Sequence, residues 1–127
     1  MRLEPGLEGV VDADVGDDMT AAALGSGDVT VLGTPSVLAL VERAACRAIE
    51  GRLDDGQTSV GSTVELRHTA PTPAGAPVRA VARLIDVDGR NLAFEFEVTD
   101  RRGTVASGRH RRVIVGREAF LRSAAER

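Results

Sequence analysis

Two ionisable side chains stand out because the pattern of each one's own element turns it inward: the carboxylate of Glu42 and the imidazole of His68. Glu42 lies in the run from Thr34 to Glu50, which reads as a helix. Thr34 is a good N-cap, Pro35 suits the first helical position, and Gly51 is a stop. On a wheel at about 100° per residue, Ile49, Leu38, Cys46, Ala45 and Ala39 fall within about 60° of Glu42. Ser36, Arg43, Arg47 and Glu50 form a separate, narrow polar stripe. Glu42 therefore points where apolar side chains point, and a glutamate is rarely buried without a partner. His68 ends a period-2 run in which Val60, Ser62, Val64, Leu66 and His68 share one strand face, the face expected to pack on the helix. The two groups are expected to meet, within one subunit or across a dimer. Such a pair suits proton transfer or nucleophilic attack.

Each residue also has a plain structural reading. A lone inward histidine is commonly a hydrogen-bonded core residue, a buried glutamate is as commonly half of an ion pair with arginine, and Thr34 alone is a helix cap. His110, beside Arg109, Arg111 and Arg112, is expected on a solvated strand face whose basic group could meet an anion.

The elements that must position these residues follow from pattern. Residues 7–15 have a weak strand signal interrupted by Gly9, and residues 19–33 read as a mobile loop with a short strand at Val29–Leu32. After the helix, Leu53-Asp54-Asp55-Gly56 turns the chain into a strand that ends at the Pro71–Pro77 loop, which no strand could contain. Strands are expected over 78–87 and 92–99, joined by the hairpin signal Asp88-Gly89. Leu92, Phe94, Phe96 and Val98 form the inward face of the second. A last strand over 104–115 leads to a short helix over 117–125. One buried helix followed by a meander of long antiparallel strands implies an α+β fold, a curved antiparallel sheet wrapped around one central helix. That is the hotdog architecture, whose usual unit is a dimer.

Composition narrows the function classes. A chain of 127 residues suits one domain, taken as 1–127, with one core. Net charge is −3 and the arginines are scattered, so nucleic acid is not an expected partner. No apolar run approaches a membrane span, and residues 1–6 carry no signal-peptide hydrophobic region, so a soluble, cytoplasmic protein is expected. Cys46 is the only cysteine and His68 and His110 the only histidines, which leaves no zinc-like spacing and no expected metal. Cys46, on the apolar arc of the helix, is expected to be a small core residue. With three Phe and neither Trp nor Tyr, the core is built from Val, Leu and Ala, and a modest core favours oligomerisation.

From Gly33 onward the chain resembles the fluoroacetyl-coenzyme A thioesterase-like branch of hotdog thioesterases. The resemblance is carried by Thr34 and Glu42 within Leu40-Val41-Glu42-Arg43-Ala44, then by Arg47-Ala48, Val60-Gly61-Ser62, His68-Thr69-Ala70-Pro71-Thr72-Pro73 and Ser107-Gly108-Arg109-His110-Arg111-Arg112. It implies hydrolysis of an acyl-coenzyme A thioester at a Thr34/Glu42/His68 site near a dimer interface, with the Gly61 backbone N–H serving the oxyanion. Glu42 would attack the thioester carbon or deprotonate water, and a protonated His68 would keep it ionised. Arg111 and Arg112 are the candidate partners of the coenzyme A phosphates. No cofactor is expected beyond the coenzyme A of the substrate. Family members specific for fluoroacetyl groups carry phenylalanines just before the threonine, whereas residues 27–33 here contain none. A different small or medium acyl group is therefore expected. A non-hydrolytic hotdog protein that binds acyl-coenzyme A or another apolar ligand is the alternative, and a hydratase is a third reading.

Overall fold

The structure is a computed structural model that describes residues 2–127; Met1 lies outside the described residues. Five strands form one antiparallel sheet: β1 (Glu8–Asp14), β2 (Gln57–His68), β3 (Pro77–Asp88), β4 (Asn91–Asp100) and β5 (Gly103–Gly116), in the order β1-β3-β4-β5-β2. Three α-helices accompany them: α1 (Ala21–Leu24), α2 (Thr34–Ala48) and α3 (Arg117–Ala125). The sheet is wrapped around α2, as the element order predicts.

Helix α2 packs mainly on β1 and β3. Its buried stripe is Val37, Leu40, Val41, Ala44, Ala45 and Ala48, and beneath it lie the fully buried Ala80, Ala82 and Leu84 of β3. Small residues on both sides let the backbones approach closely. Gly9 carries this furthest: a Cβ there would sit 2.0 Å from the Ala44 carbonyl oxygen. The glycine that weakens the strand pattern is thus the point where strand and helix touch, not a break. Leu92, Phe94, Phe96 and Val98 of β4 are all buried in the same core, as their alternation predicts, together with Val105, Ala106 and Ile114 of β5.

Three expectations change. The helix begins one residue earlier than a Thr34 cap requires: Gly33 is the N-cap and Thr34 is the first helical residue, which releases its hydroxyl from capping. Residues 29–32 make no sheet strand. They form only isolated bridges, Thr20 to Leu32 and Val31 to Pro73, because the segment folds against its own start and against the proline-rich loop. That loop is in turn anchored by the buried Thr72, whose hydroxyl donates to Asp100 at 2.9 Å.

The third change concerns β2. Its pairing with β5 shifts between Gly61 and Thr63, a bulge at Ser62. Before the bulge Ser59 and Gly61 lie opposite the inward Ile114 and Arg112; after it Val64 and His68 lie opposite the inward His110 and Ala106. Directly opposed residues share a face, so Gly61 and His68 both face the helix side, and Val60 does not share the His68 face. No helix among the described residues is long and apolar enough to cross a membrane.

Candidate active site

The expected site residues fall into two groups along α2. At its N-terminal end the freed Thr34 hydroxyl and His68 Nδ1 are 2.8 Å apart, a hydrogen bond. His68 closes β2, and the chain beyond it is held by the Thr69 N–H donating to the Val105 carbonyl at 2.8 Å. Its Nε2 is buried with no hydrogen-bond partner. A hollow of about 260 Å³ opens beside it, lined by Val31, His68, Thr69, Ala70 and Pro71. Burial pushes the imidazole below its ordinary 6.5, with contact to the Ala70 backbone working the other way, so His68 is uncharged at neutral pH.

Two turns along the helix is Glu42. Eight helical residues rise about 12 Å, so Thr34 and Glu42 cannot bond within one chain. Among the described residues no hydrogen bond joins Glu42 to His68. Instead the buried Arg112 donates through Nη1 to Glu42 Oε2 at 3.3 Å. The arginine side chain is 6% exposed and the glutamate 41%, so the carboxylate is anchored from below and open above. The positive charge facing Glu42 is therefore Arg112, not the protonated His68 that the sequence suggests.

Gly61 makes this docking possible, since a Cβ there would stand 2.5 Å from Glu42 Oε2 and 3.3 Å from His110 Cε1. Arg112 also donates through Nε to the Ser59 hydroxyl at 2.9 Å and through Nη2 to the Ser59 carbonyl at 3.0 Å. Arg111, on the opposite strand face, is exposed. The two basic neighbours thus have different surroundings: one is solvated, and the other is committed to protein groups.

His110 overturns the expectation of a solvated strand face. It is fully buried, stacks on Phe94 with ring centroids 6.1 Å apart, and pairs through Nε2 with Arg112 Nη1 at 3.1 Å. The signal was in the period-2 pattern, because counting back from the buried Ile114 puts Arg112 and His110 on the inward face. Cys46 also departs from expectation, being exposed. With the half-exposed Leu38 and the exposed Ala39 it leaves one side of the arc around Glu42 uncovered in a single chain, whereas Ala45 and Ile49 on the other side are buried.

A hollow of about 490 Å³ lies at the C-terminal end of α2, lined by Cys46, Ile49, Ser59 and Arg117 among others, and two larger ones lie on the other side of the sheet. One of about 570 Å³ is bounded by Asp12, Arg79 and Asp100, and one of about 560 Å³ by Arg83, Glu95 and Arg109. Their charges pair with each other, Arg79 with Asp12 and Arg83 with Glu95, and neither hollow includes Thr34, Glu42 or His68.

The two histidines set an acid limit on stability. Burial is the largest influence on both and lowers both below 6.5. As pH falls through 6.5 the unfolded chain takes up protons before the folded one does, so folding stability is full above 6.5 and declines towards the folded values. Thermal melts are expected to show a lower Tm at pH 5.5 than at pH 7.5, by about a few degrees. An equal Tm at both values would remove this account of the two imidazoles.

Comparison with known proteins bears on the family and the fold. A family model described as FlK, fluoroacetyl-CoA-specific thioesterase, matches residues 15–118. A fluoroacetyl-CoA thioesterase from Streptantibioticus cattleyicolor is 34% identical over 90 residues, 71% of this chain. The chain spans 65% of the length of that relative. Among solved structures, a variant of the fluoroacetyl-CoA enzyme in complex with acetyl-CoA matches with a TM-score of 0.93 at 27% identity, over 98% of each chain. A Thermus thermophilus protein described as a thioesterase superfamily member matches at 0.89 with 31% identity, over 99% of this chain and 96% of that one. A hot-dog-like protein from Thermanaerovibrio acidaminovorans, 22% identical, shares the fold at a TM-score of 0.89. The sheet around a central helix is thus the hotdog fold.

Proposed function

Because the chain belongs to the fluoroacetyl-CoA-specific thioesterase family, we propose that it hydrolyses an acyl-CoA thioester to the free acid and CoA, with Glu42, His68 and Thr34 as the reacting set. The observation that carries this reading is the Thr34–His68 hydrogen bond at 2.8 Å, which leaves His68 Nε2 buried and unpaired beside a hollow. If Nδ1 accepts the Thr34 proton, Nε2–H is a donor with nothing to donate to, as a site awaiting a carboxylate or substrate would have.

The missing carboxylate is Glu42 of a second copy. One helix carries both Thr34 and Glu42 about 12 Å apart, so a two-fold pairing of chains would set each Glu42 against the other chain's Thr34 and His68. Two features support a homodimer. β2 is an edge strand of 12 residues, and a long unpaired edge is a surface that proteins normally cover. The side of α2 that carries Leu38, Ala39 and Cys46 beside Glu42 is also uncovered.

In the reaction, Glu42 takes a proton from water as the water oxygen bonds to the thioester carbon, and as the C–S bond breaks that proton passes through His68 to the departing thiolate. Alternatively Glu42 attacks the carbon itself, and the C–S bond breaks to give an anhydride and the CoA thiolate. The water that opens the anhydride then supplies the thiolate's proton through His68. In either route the backbone N–H at Gly61 receives the oxyanion. Arg112 orients Glu42, while Arg111, being solvated, is the better placed of the two for a phosphate of CoA. No further cofactor takes part. The hollow beside His68 is small and aliphatic, and residues 27–33 hold no phenylalanine, so the acyl group is a short one without fluoroacetyl selectivity.

The test is thiol release from acetyl-, butyryl- and octanoyl-CoA. Turnover is expected to be fastest with the shorter esters. Saturable binding of all three without thiol release would replace the hydrolase by a non-hydrolytic acyl-CoA binder.

A further inference from the structure

His110 and Arg112 are the two ionisable residues buried in the core of the described residues, and the reaction above assigns no chemistry to His110. Arginine has donors only, so the contact between Arg112 Nη1 and His110 Nε2 at 3.1 Å has one direction: Nε2 accepts. Nδ1 must then carry the proton, and it donates to the Thr63 carbonyl at 2.9 Å, directly after the β2 bulge. The imidazole is a strut between that bulge and the guanidinium. Arg112 is fixed on its far side by two bonds to Ser59, and Nη1 alone serves both His110 and Glu42.

We propose that uncharged His110 is a positioning residue that holds Arg112, and through it the Glu42 carboxylate, in working register, and that a proton on His110 releases them. The inference rests on the role given to Glu42 above. A proton on Nε2 would set donor against donor and cation against cation at the Arg112 contact. The neighbours of His110 are few. β4 contributes the uncharged Phe94 ring, β2 contributes Gly61 and the Thr63 carbonyl, β5 contributes Arg112, and α2 contributes the single acid, Glu42. Burial is the largest influence and keeps the imidazole uncharged; the Thr63 carbonyl opposes it, Arg112 reinforces it, and Glu42 opposes it.

Two measurements test the proposal. Long-range 1H–15N spectra of the imidazoles, assigned with His68→Ala, are expected to show His110 as the Nδ1–H tautomer, titrating below 6.5. An Nε2–H tautomer, or a charged His110 at pH 7, overturns it. In thiol-release kinetics, His110→Gln supplies an acceptor that takes no proton, and His110→Leu supplies none. The leucine variant is expected to lose about 10-fold in kcat with KM within about 3-fold, and the glutamine variant to recover most of that loss at pH 7.5. Because a proton on His110 adds a further loss of rate, the acid limb of kcat should fall more steeply in the parent than in His110→Gln, by up to about one unit of slope. Coinciding acid limbs, or a leucine variant with the parent's kcat, overturn the proposal. If the parent releases no thiol, the hydrolase reading alone fails and the His110 tautomer still decides the strut.

Discussion

Glu42→Gln is expected to lower kcat for thiol release by about 10²–10⁴-fold, with KM little changed. The size follows from what the substitution keeps and what it removes. Glutamine has the same shape, and its carbonyl oxygen can still accept from Arg112 Nη1, now at 3.3 Å from Oε2. The side chain is 41% exposed, but Arg112 beneath it is only 6% exposed and keeps a hydrogen bond without its counter-charge, so stability in the melt should fall by about 1–3 kcal/mol while the fold is retained. What disappears is the ability to take a proton or to attack carbon. The measurement is steady-state thiol release with the fastest ester, alongside a thermal melt. A variant that keeps a third of the parent's kcat would end the assignment of Glu42, whether as base or as nucleophile.

Gly61→Ala separates function from folding more sharply. The added Cβ would stand 2.5 Å from Glu42 Oε2, well inside contact distance, while the nearest ring atom, His110 Cε1, would be 3.3 Å away. The clashing atom is the free end of a half-exposed side chain, so it can swing outward at little steric cost, and β2 keeps its pairing with β5. Because the buried Arg112 loses its carboxylate partner, stability is expected to fall by about 1–2 kcal/mol. The carboxylate loses its seat on Arg112, and a displacement of about 1 Å in a reacting group can cost about 10²-fold in rate. A loss of that size in kcat with a Tm lower by only about a few degrees is the expected result. Full activity would show that the seated position of Glu42 is not the working one.

Much of this arrangement was legible in the sequence because it rests on periodicity. The strict alternation of Leu92, Phe94, Phe96 and Val98 marks a strand with one buried face, Asp88-Gly89 marks its hairpin, and the run from Thr34 marks α2 to within two residues of its end. Three features were not legible, each for a physical reason. Period-2 reading assumes an unbroken register, so the bulge at Ser62 hides the fact that Gly61 and His68 share a face. A helical wheel reports apolarity and not what covers it, so the arc holding Cys46 reads as core although Cys46 is exposed. Residues 19–33 owe their path to contacts distant in sequence, such as the Leu32 N–H donating to the Thr72 carbonyl at 2.8 Å, which no local pattern encodes. The pairing of Glu42 with Arg112 was missed differently: the parity of β5 contains it, but a cluster of arginines invites the reading of a wet surface.

The bulge in β2 also bears on which changes this strand can tolerate. Gly61 and His68 are separated by an odd step, and only one extra residue between them brings both to the helix side. The strand therefore carries a half-period phase offset that point substitutions leave intact. Losing Ser62 would restore the regular pleat and, at a separation of six, leave Gly61 and His68 both on the helix side, whereas a further single-residue loss between them would turn one of the two segments over. Along this stretch the phase between Gly61 and His68 is what is constrained, and the bulge is what lets the strand carry one residue more than its partner.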